Sequence, residues 1–177
     1  NFRLIETESN KINAATIMQP VGDQYVVVNP PYPTMTTEEL DAIYDLPFQY
    51  RPHPKYKDKH IPAYEMIRFS VCMHRGCFGG CSFCALTFHP GRELRSRSIE
   101  SLVREAEALT EKPDFKGYIH DVGGPTANFR HPACKKQLEH GVCKNKDCLY
   151  PKPCRNMEVD HTEYRELLRR IREVPGV

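Results

Sequence analysis

The chain has 177 residues, enough to bury one hydrophobic core and to form one domain. Its net charge of +2 gives no global attraction to nucleic acid or to an anionic membrane. No apolar run is long enough to span a bilayer, and the start, Asn1-Phe-Arg-Leu4, has no signal-peptide pattern.

Residues 1–28 contain two apolar stretches that read as extended, Phe2–Thr7 and Gln24–Val28. The second is rich in β-branched residues and bounded by Gly22 and Asn29-Pro-Pro, the pattern of a strand. Three prolines between residues 29 and 33 require a loop. Thr36-Thr-Glu-Glu39 is a capping box for a short helix carrying Leu40, Ile43 and Tyr44, halted at Leu46-Pro47. Tyr50–Pro62 is basic, proline-rich and nearly without aliphatic residues, so it reads as a solvated linker or as a lid over a substrate. It divides a predicted N-terminal extension and linker, residues 1–60, from a second part, residues 61–177.

Met66–Cys72 alternates apolar and polar residues and is predicted as a strand, with Cys72 at its end as a small buried hydrophobe rather than a ligand. Arg75-Gly-Cys77-Phe-Gly-Gly-Cys81-Ser-Phe-Cys84 follows, three thiols in C-x3-C-x2-C spacing around three glycines. Cysteine thiolates hold iron–sulfur clusters, and glycines let a backbone wrap closely around an inorganic core. Three thiolates against the four irons of a cubane leave one iron open, as a reactive centre requires. A zinc site and a chance group of buried thiols are the alternatives. Ser98 caps a helix with Ile99, Leu102, Val103, Ala106 and Leu109 on one face. Tyr118–Val122 is a second strand, ending in Gly123-Gly124, and strand–helix–strand demands a parallel pair.

Residues 131–157 form a cysteine-rich insert without periodicity. Cys134, Cys143, Cys148 and Cys154 suit zinc or an auxiliary Fe–S cluster, although their spacings match no common zinc finger; structural thiols and two disulfides are the alternatives. The clustering of all eight cysteines argues for metal chemistry in a reducing cytoplasm over a secreted disulfide scaffold. Six Lys or Arg crowd the same insert, but no aromatic interleaving supports a nucleic-acid surface. Asp160-His-Thr-Glu163 is a second capping box, for a helix carrying Tyr164, Leu167, Leu168 and Ile171. With no initiator Met, and with Val174-Pro-Gly-Val177 directly after a helix, the sequence reads as a fragment of a longer α/β enzyme.

The run from Arg75 to His89 resembles the signature of radical SAM enzymes, and most closely their YgiQ-type branch. Asn29-Pro-Pro, Tyr44-Asp-Leu-Pro, Phe115-Lys-Gly-Tyr and Asp121-Val-Gly-Gly-Pro-Thr-Ala-Asn128 carry the same resemblance, from about Val26 to the C-terminus. It implies an α/β fold, a truncated partial (β/α) barrel with an N-terminal extension and the cysteine-rich insert. By the same resemblance, Cys77, Cys81 and Cys84 ligate a 4Fe–4S cluster and S-adenosylmethionine occupies the open iron. Phe83 lies against its adenine, and Gly123 and Gly124 contact its methionyl amino group. Many members continue those glycines with Glu, whereas this chain has Pro125. The implied chemistry is reductive cleavage of S-adenosylmethionine to a 5′-deoxyadenosyl radical that acts on an unknown substrate. An electron donor such as flavodoxin or ferredoxin is the implied partner. The alternative function is a non-catalytic zinc or Fe–S module, RNA-associated through its basic insert.

Overall fold

The computed structural model describes every residue except 1, 9, 58 and 125–128. The last four belong to the expected Gly-Gly-Pro-Thr-Ala-Asn loop, so the expectation attached to Pro125 lies outside the described residues.

The fold is mixed α/β, and its described strands form three two-stranded ladders without closing a barrel. The chain opens with α1 (Phe2–Thr7), where the sequence reads as an extended segment. The helix closes locally instead, with the Glu8 amide donating to the Leu4 carbonyl at 2.9 Å and Phe2 packing its ring 6.0 Å from that of Phe88. β1 (Ile17–Val21) and β2 (Gln24–Val28) form an antiparallel hairpin through Gly22, which takes φ +61°. Pro20 hides β1 in the sequence, because proline is tolerated only on an edge strand. α2 (Thr37–Tyr44) has the predicted capping box in full: Thr36 accepts from the Glu39 amide and Glu39 accepts from the Thr36 amide.

The expected strand from Met66 is shorter than its pattern. Pro62 sits in the first turn of α3 (Pro62–Ile67), where its missing N–H costs nothing, and the strand β3 is confined to Ser70–Cys72. After Met73 the same extended run continues as β4 (His74–Arg75), which pairs antiparallel with β5 (Arg95–Ser96). α4 (Ile99–Thr110) starts at Ser98, whose hydroxyl accepts from the Ser101 amide, as expected. β6 (Asp121–Gly123) pairs parallel with β3, so α4 is the crossover the strand–helix–strand pattern demands. Within the insert only α5 (Lys135–His140) is helical.

α6 (Thr162–Arg172) lacks the second capping box. Its Glu163 carboxylate is taken by buried Arg130 at 2.6 Å and by His131 at 3.1 Å. Asp160 still accepts from the Thr162 amide at 2.8 Å. α4 and α6 cover the parallel ladder: Leu102, Ala106, Leu109, Leu167 and Ile171 meet Phe69, Val71 and Met73 in one core. The predicted apolar faces of both helices are the faces that are buried.

The N-terminal extension is tied to this core by polar contacts. Arg97 is buried, pairs with Glu105, donates to the Cys72 carbonyl at 3.2 Å, and lies 3.9 Å over the Tyr44 ring. Asp41 accepts from the Ser98 amide at 3.0 Å, and Thr37 donates to the Ser96 carbonyl at 3.0 Å.

Candidate cofactor and metal site

The three-cysteine loop leaves the sheet at the carboxyl end of β4, and the β4–β5 pairing forms its neck. Gly76 takes φ +85° and lies so close to the Glu93 carbonyl that a Cβ would overlap it. The Cys77 amide donates to the Gly91 carbonyl at 2.9 Å, closing the loop on its return. Cys77 is buried, Cys84 half-buried and Cys81 exposed. The Gly79 amide donates to Cys77 Sγ at 3.3 Å. A Cβ on Gly79 would stand 3.2 Å from Cys77 Sγ and 3.7 Å from Cys81 Sγ, so both sulfurs share the space above this glycine. Phe83 is 91% exposed and presents its ring at the surface of the loop.

Beside the loop stands the glycine turn after β6. Cys72 is in register with Gly123, and the Met73 amide donates to the Gly123 carbonyl at 2.6 Å. The next residue, Gly124, lies against the buried His74 ring, which a Cβ would overlap. Parallel pairing therefore brings the cysteine loop and Gly123-Gly124 to the same edge of the ladder, the carboxyl ends of the strands. That edge is where open α/β sheets and (β/α) barrels bind their ligands. Of the residues flanking the loop, Arg75 turns away, donating to the Tyr44 hydroxyl at 2.9 Å. Cys72 is half-buried, with Sγ 3.5 Å from the His74 carbonyl, and lies off the loop.

The four insert cysteines come together around one small void of about 20 Å³. Cys134 precedes α5, and the chain reverses at Gly141, φ +72°, where a Cβ would press on the Asn10 amide. Asn10 in turn donates to the Val142 carbonyl at 2.8 Å. The Cys154 amide donates to the Cys148 carbonyl at 2.8 Å, closing the far side. The Cys148 thiol is pushed up to about 11, by burial first and also by the three other cysteines, against the lowering pull of Arg92. Cys154 is held below the ordinary thiol range by the Asn156 amide and by Lys146.

The two cysteine regions touch. Phe78 stacks on Phe129 with centroids 4.0 Å apart, in a small core with Leu94, Ala133, Cys148 and Met157. Arg92 donates to the Cys143 carbonyl at 3.3 Å, the Lys146 carbonyl at 3.1 Å and Asp147 Oδ1 at 3.1 Å. Neither Phe78 nor Arg92 stood out as a bridge in the sequence, because both contacts are long-range.

Among the described residues, no group of three or more His, Cys, Asp or Glu side chains is gathered closely enough to hold a metal ion. The donor chemistry nevertheless fits a 4Fe–4S cluster at the first loop: soft thiols, a glycine cradle, and an N–H already directed at one sulfur.

Comparison with known proteins finds relatives along the whole chain. Residues 1–70 match the family described as Radical SAM N-terminal. A UPF0313 protein of Clostridium botulinum strain 657 is 53% identical over 177 residues, covering 99% of this chain and 28% of the relative. One of Clostridium perfringens strain ATCC 13124 is 54% identical, with 99% and 27% covered. The chain is similar over nearly its whole length to these UPF0313 proteins, and its first 70 residues match the radical SAM N-terminal family. It spans little more than a quarter of the length of these curated relatives. The match includes the first 25 residues, which the motif resemblance left out. No solved structure matches the chain. Among the described residues, no helix is long and apolar enough to cross a membrane.

Proposed function

We propose that this chain is the cluster-binding portion of a radical SAM enzyme, with Cys77, Cys81 and Cys84 as ligands of a 4Fe–4S cluster. The observation that carries the reading is the parallel β3–β6 pair, which sets the cysteine loop beside Gly123-Gly124 at one carboxyl edge. In this reading residues 61–177 are the first part of a (β/α) barrel, with 131–157 as an insert, and residues 1–60 are an extension packed on it. A cluster held by Cys77, Cys81 and Cys84 would supply one-electron reductive cleavage of S-adenosylmethionine, the source of a 5′-deoxyadenosyl radical for hydrogen abstraction from a substrate.

The chain's own residues have simpler duties. The Gly79 amide stabilises thiolate charge on Cys77 by donating to its sulfur. Gly76 lets the loop return against Glu93 and so holds the three thiols near the sheet edge. Gly123 and Gly124 leave backbone accessible for the cofactor's amino group, with His74 packed behind Gly124. Exposed Phe83 offers a face for the adenine ring. A one-electron donor, a flavodoxin or ferredoxin, supplies the reductant.

The test is anaerobic reconstitution with iron and sulfide. The expected product is one oxygen-sensitive cluster whose electron paramagnetic resonance signal changes on adding S-adenosylmethionine. The Cys77→Ala, Cys81→Ala and Cys84→Ala triple variant should lose that cluster. Full iron retention in the triple variant sinks the ligand assignment. A cluster indifferent to S-adenosylmethionine points to a non-catalytic metal module.

A further inference from the structure

We infer that Cys134, Cys143, Cys148 and Cys154 form a second metal site, a tetrathiolate for a single zinc ion. The site involves none of the residues assigned to the 4Fe–4S cluster and stands independently of that reading.

All four cysteines border the same small void, although they lie as far apart as 20 residues in the chain. Its volume, about 20 Å³, is close to the minimum for one water-sized particle. Four thiols on one cleft supply the closed, all-protein ligand set of a single tetrahedral ion. A water there needs two to four good polar partners, whereas the surrounding sulfurs are weak hydrogen-bonding groups. A tetrahedral set of thiolates selects zinc or iron among the common metals.

The charges also agree. Four thiolates and one divalent ion sum to −2, and Lys136 and Lys146 border the same void. Arg92 holds the backbone of Cys143 and Lys146 from the side of the first loop.

The insert needs such a centre. It contains one six-residue helix, and of its apolar side chains only Ala133 and Val142 are fully buried. Too little apolar surface is covered to offset the entropy of fixing this backbone. Binding of a metal to thiolates in such a segment becomes folding free energy. The four residues line one cleft, but their side chains are not gathered closely enough to hold an ion as they stand, so loading requires them to draw together. All four are unpaired thiols, so no disulfide competes for the sulfurs.

The experiment uses the full chain carrying Cys77→Ala, Cys81→Ala and Cys84→Ala, refolded anaerobically with zinc, so that the first loop binds nothing. Elemental analysis should find one zinc per chain, and Cys148→Ser in that background should lower occupancy at least tenfold. Cobalt in place of zinc should give the intense visible bands of a tetrahedral thiolate complex. Because Cys148→Ser can disturb folding, the wild-type chain is also treated with a chelator. Protease sensitivity between Pro132 and Met157 should then rise, and added zinc should restore it. Unchanged zinc content in Cys148→Ser, no tetrahedral cobalt bands, or proteolysis indifferent to chelator overturns the site. Preferential uptake of iron, seen as thiolate-to-iron absorption, overturns the choice of zinc.

Discussion

The two cysteine regions are built in opposite ways. In the first, backbone does the positioning: β4 pairs with β5 at the neck, Gly76 wedges against Glu93, and Cys77 is tied to Gly91. Its thiols are left spread between buried and exposed positions. In the insert the thiols share one void, while their backbone has little regular structure. A loop whose ends are fixed by the sheet can keep an open face for a ligand from outside. A segment gathered around its own sulfurs is instead suited to being completed by an ion. Backbone contacts alone order the first region, whereas in the second, order is proposed to come with an ion.

The severest challenge to this contrast is Arg97→Ala. It leaves the half-buried Glu105 without its cation and removes a donor from the Cys72 carbonyl at the base of the neck. Breaking a buried pair in this way costs about 3–5 kcal/mol. The urea midpoint should fall accordingly, and an unchanged midpoint would show that the neck does not depend on Arg97.

Arg92→Ala tests the link between the regions. It deletes three hydrogen bonds to the insert from a side chain that is only 12% exposed. Hydrogen bonds involving a charged group contribute about 1.5–3 kcal/mol each at most, and partial exposure lowers the total. Amide exchange across residues 143–148 should accelerate while the β4–β5 neck stays protected. Equal acceleration in both would mean that the two regions open as one.

The mildest test is acidification. Glu8 grips Lys144 at 2.9 Å and accepts from the Ala15 amide at 2.6 Å, fastening the N-terminal segment to the insert. Its carboxyl is held below the ordinary glutamate value of 4.5, by Lys144 first and the Ala15 amide second. A lowered native value means the contact is fully present above the unfolded value and lost as pH falls through the folded one. Amides of residues 10–15 should therefore lose protection in mild acid, and Glu8→Gln should remove the pH dependence. Persistence of that dependence in Glu8→Gln would assign it to another group.

What the sequence disclosed follows the range of each signal. The caps at Thr36 and Ser98 and the apolar faces of α4 and α6 are set by neighbours three and four residues away, and these elements were legible. The parallel pair followed from strand, helix and strand in succession. α1 was read as extended, and the strand expected over Met66–Cys72 begins only at Ser70, because stretches of six or seven residues fit a strand as well as a helix turn. The Asp160 box failed because Glu163 is drawn off by Arg130, 33 residues earlier. The grouping of the four insert cysteines was read from the chain, but the brace that shapes their void was not. The void depends on Asn10 bracing the reversal at Gly141, a contact spanning more than 130 residues that no local spacing encodes.

The stacking of Arg97 on Tyr44 has a consequence for exchanging parts between homologues. The cation belongs to residues 61–177, while the ring belongs to the extension, which also anchors through Asp41 and Asp45. A chimera that brings in an extension with a small residue at position 44 leaves the guanidinium without its aromatic cover, even if every residue of the cysteine loop is retained. Transplantation of either half should therefore succeed only when Tyr44 and Arg97 travel as a pair, which thermal melts of matched and mismatched chimeras can decide.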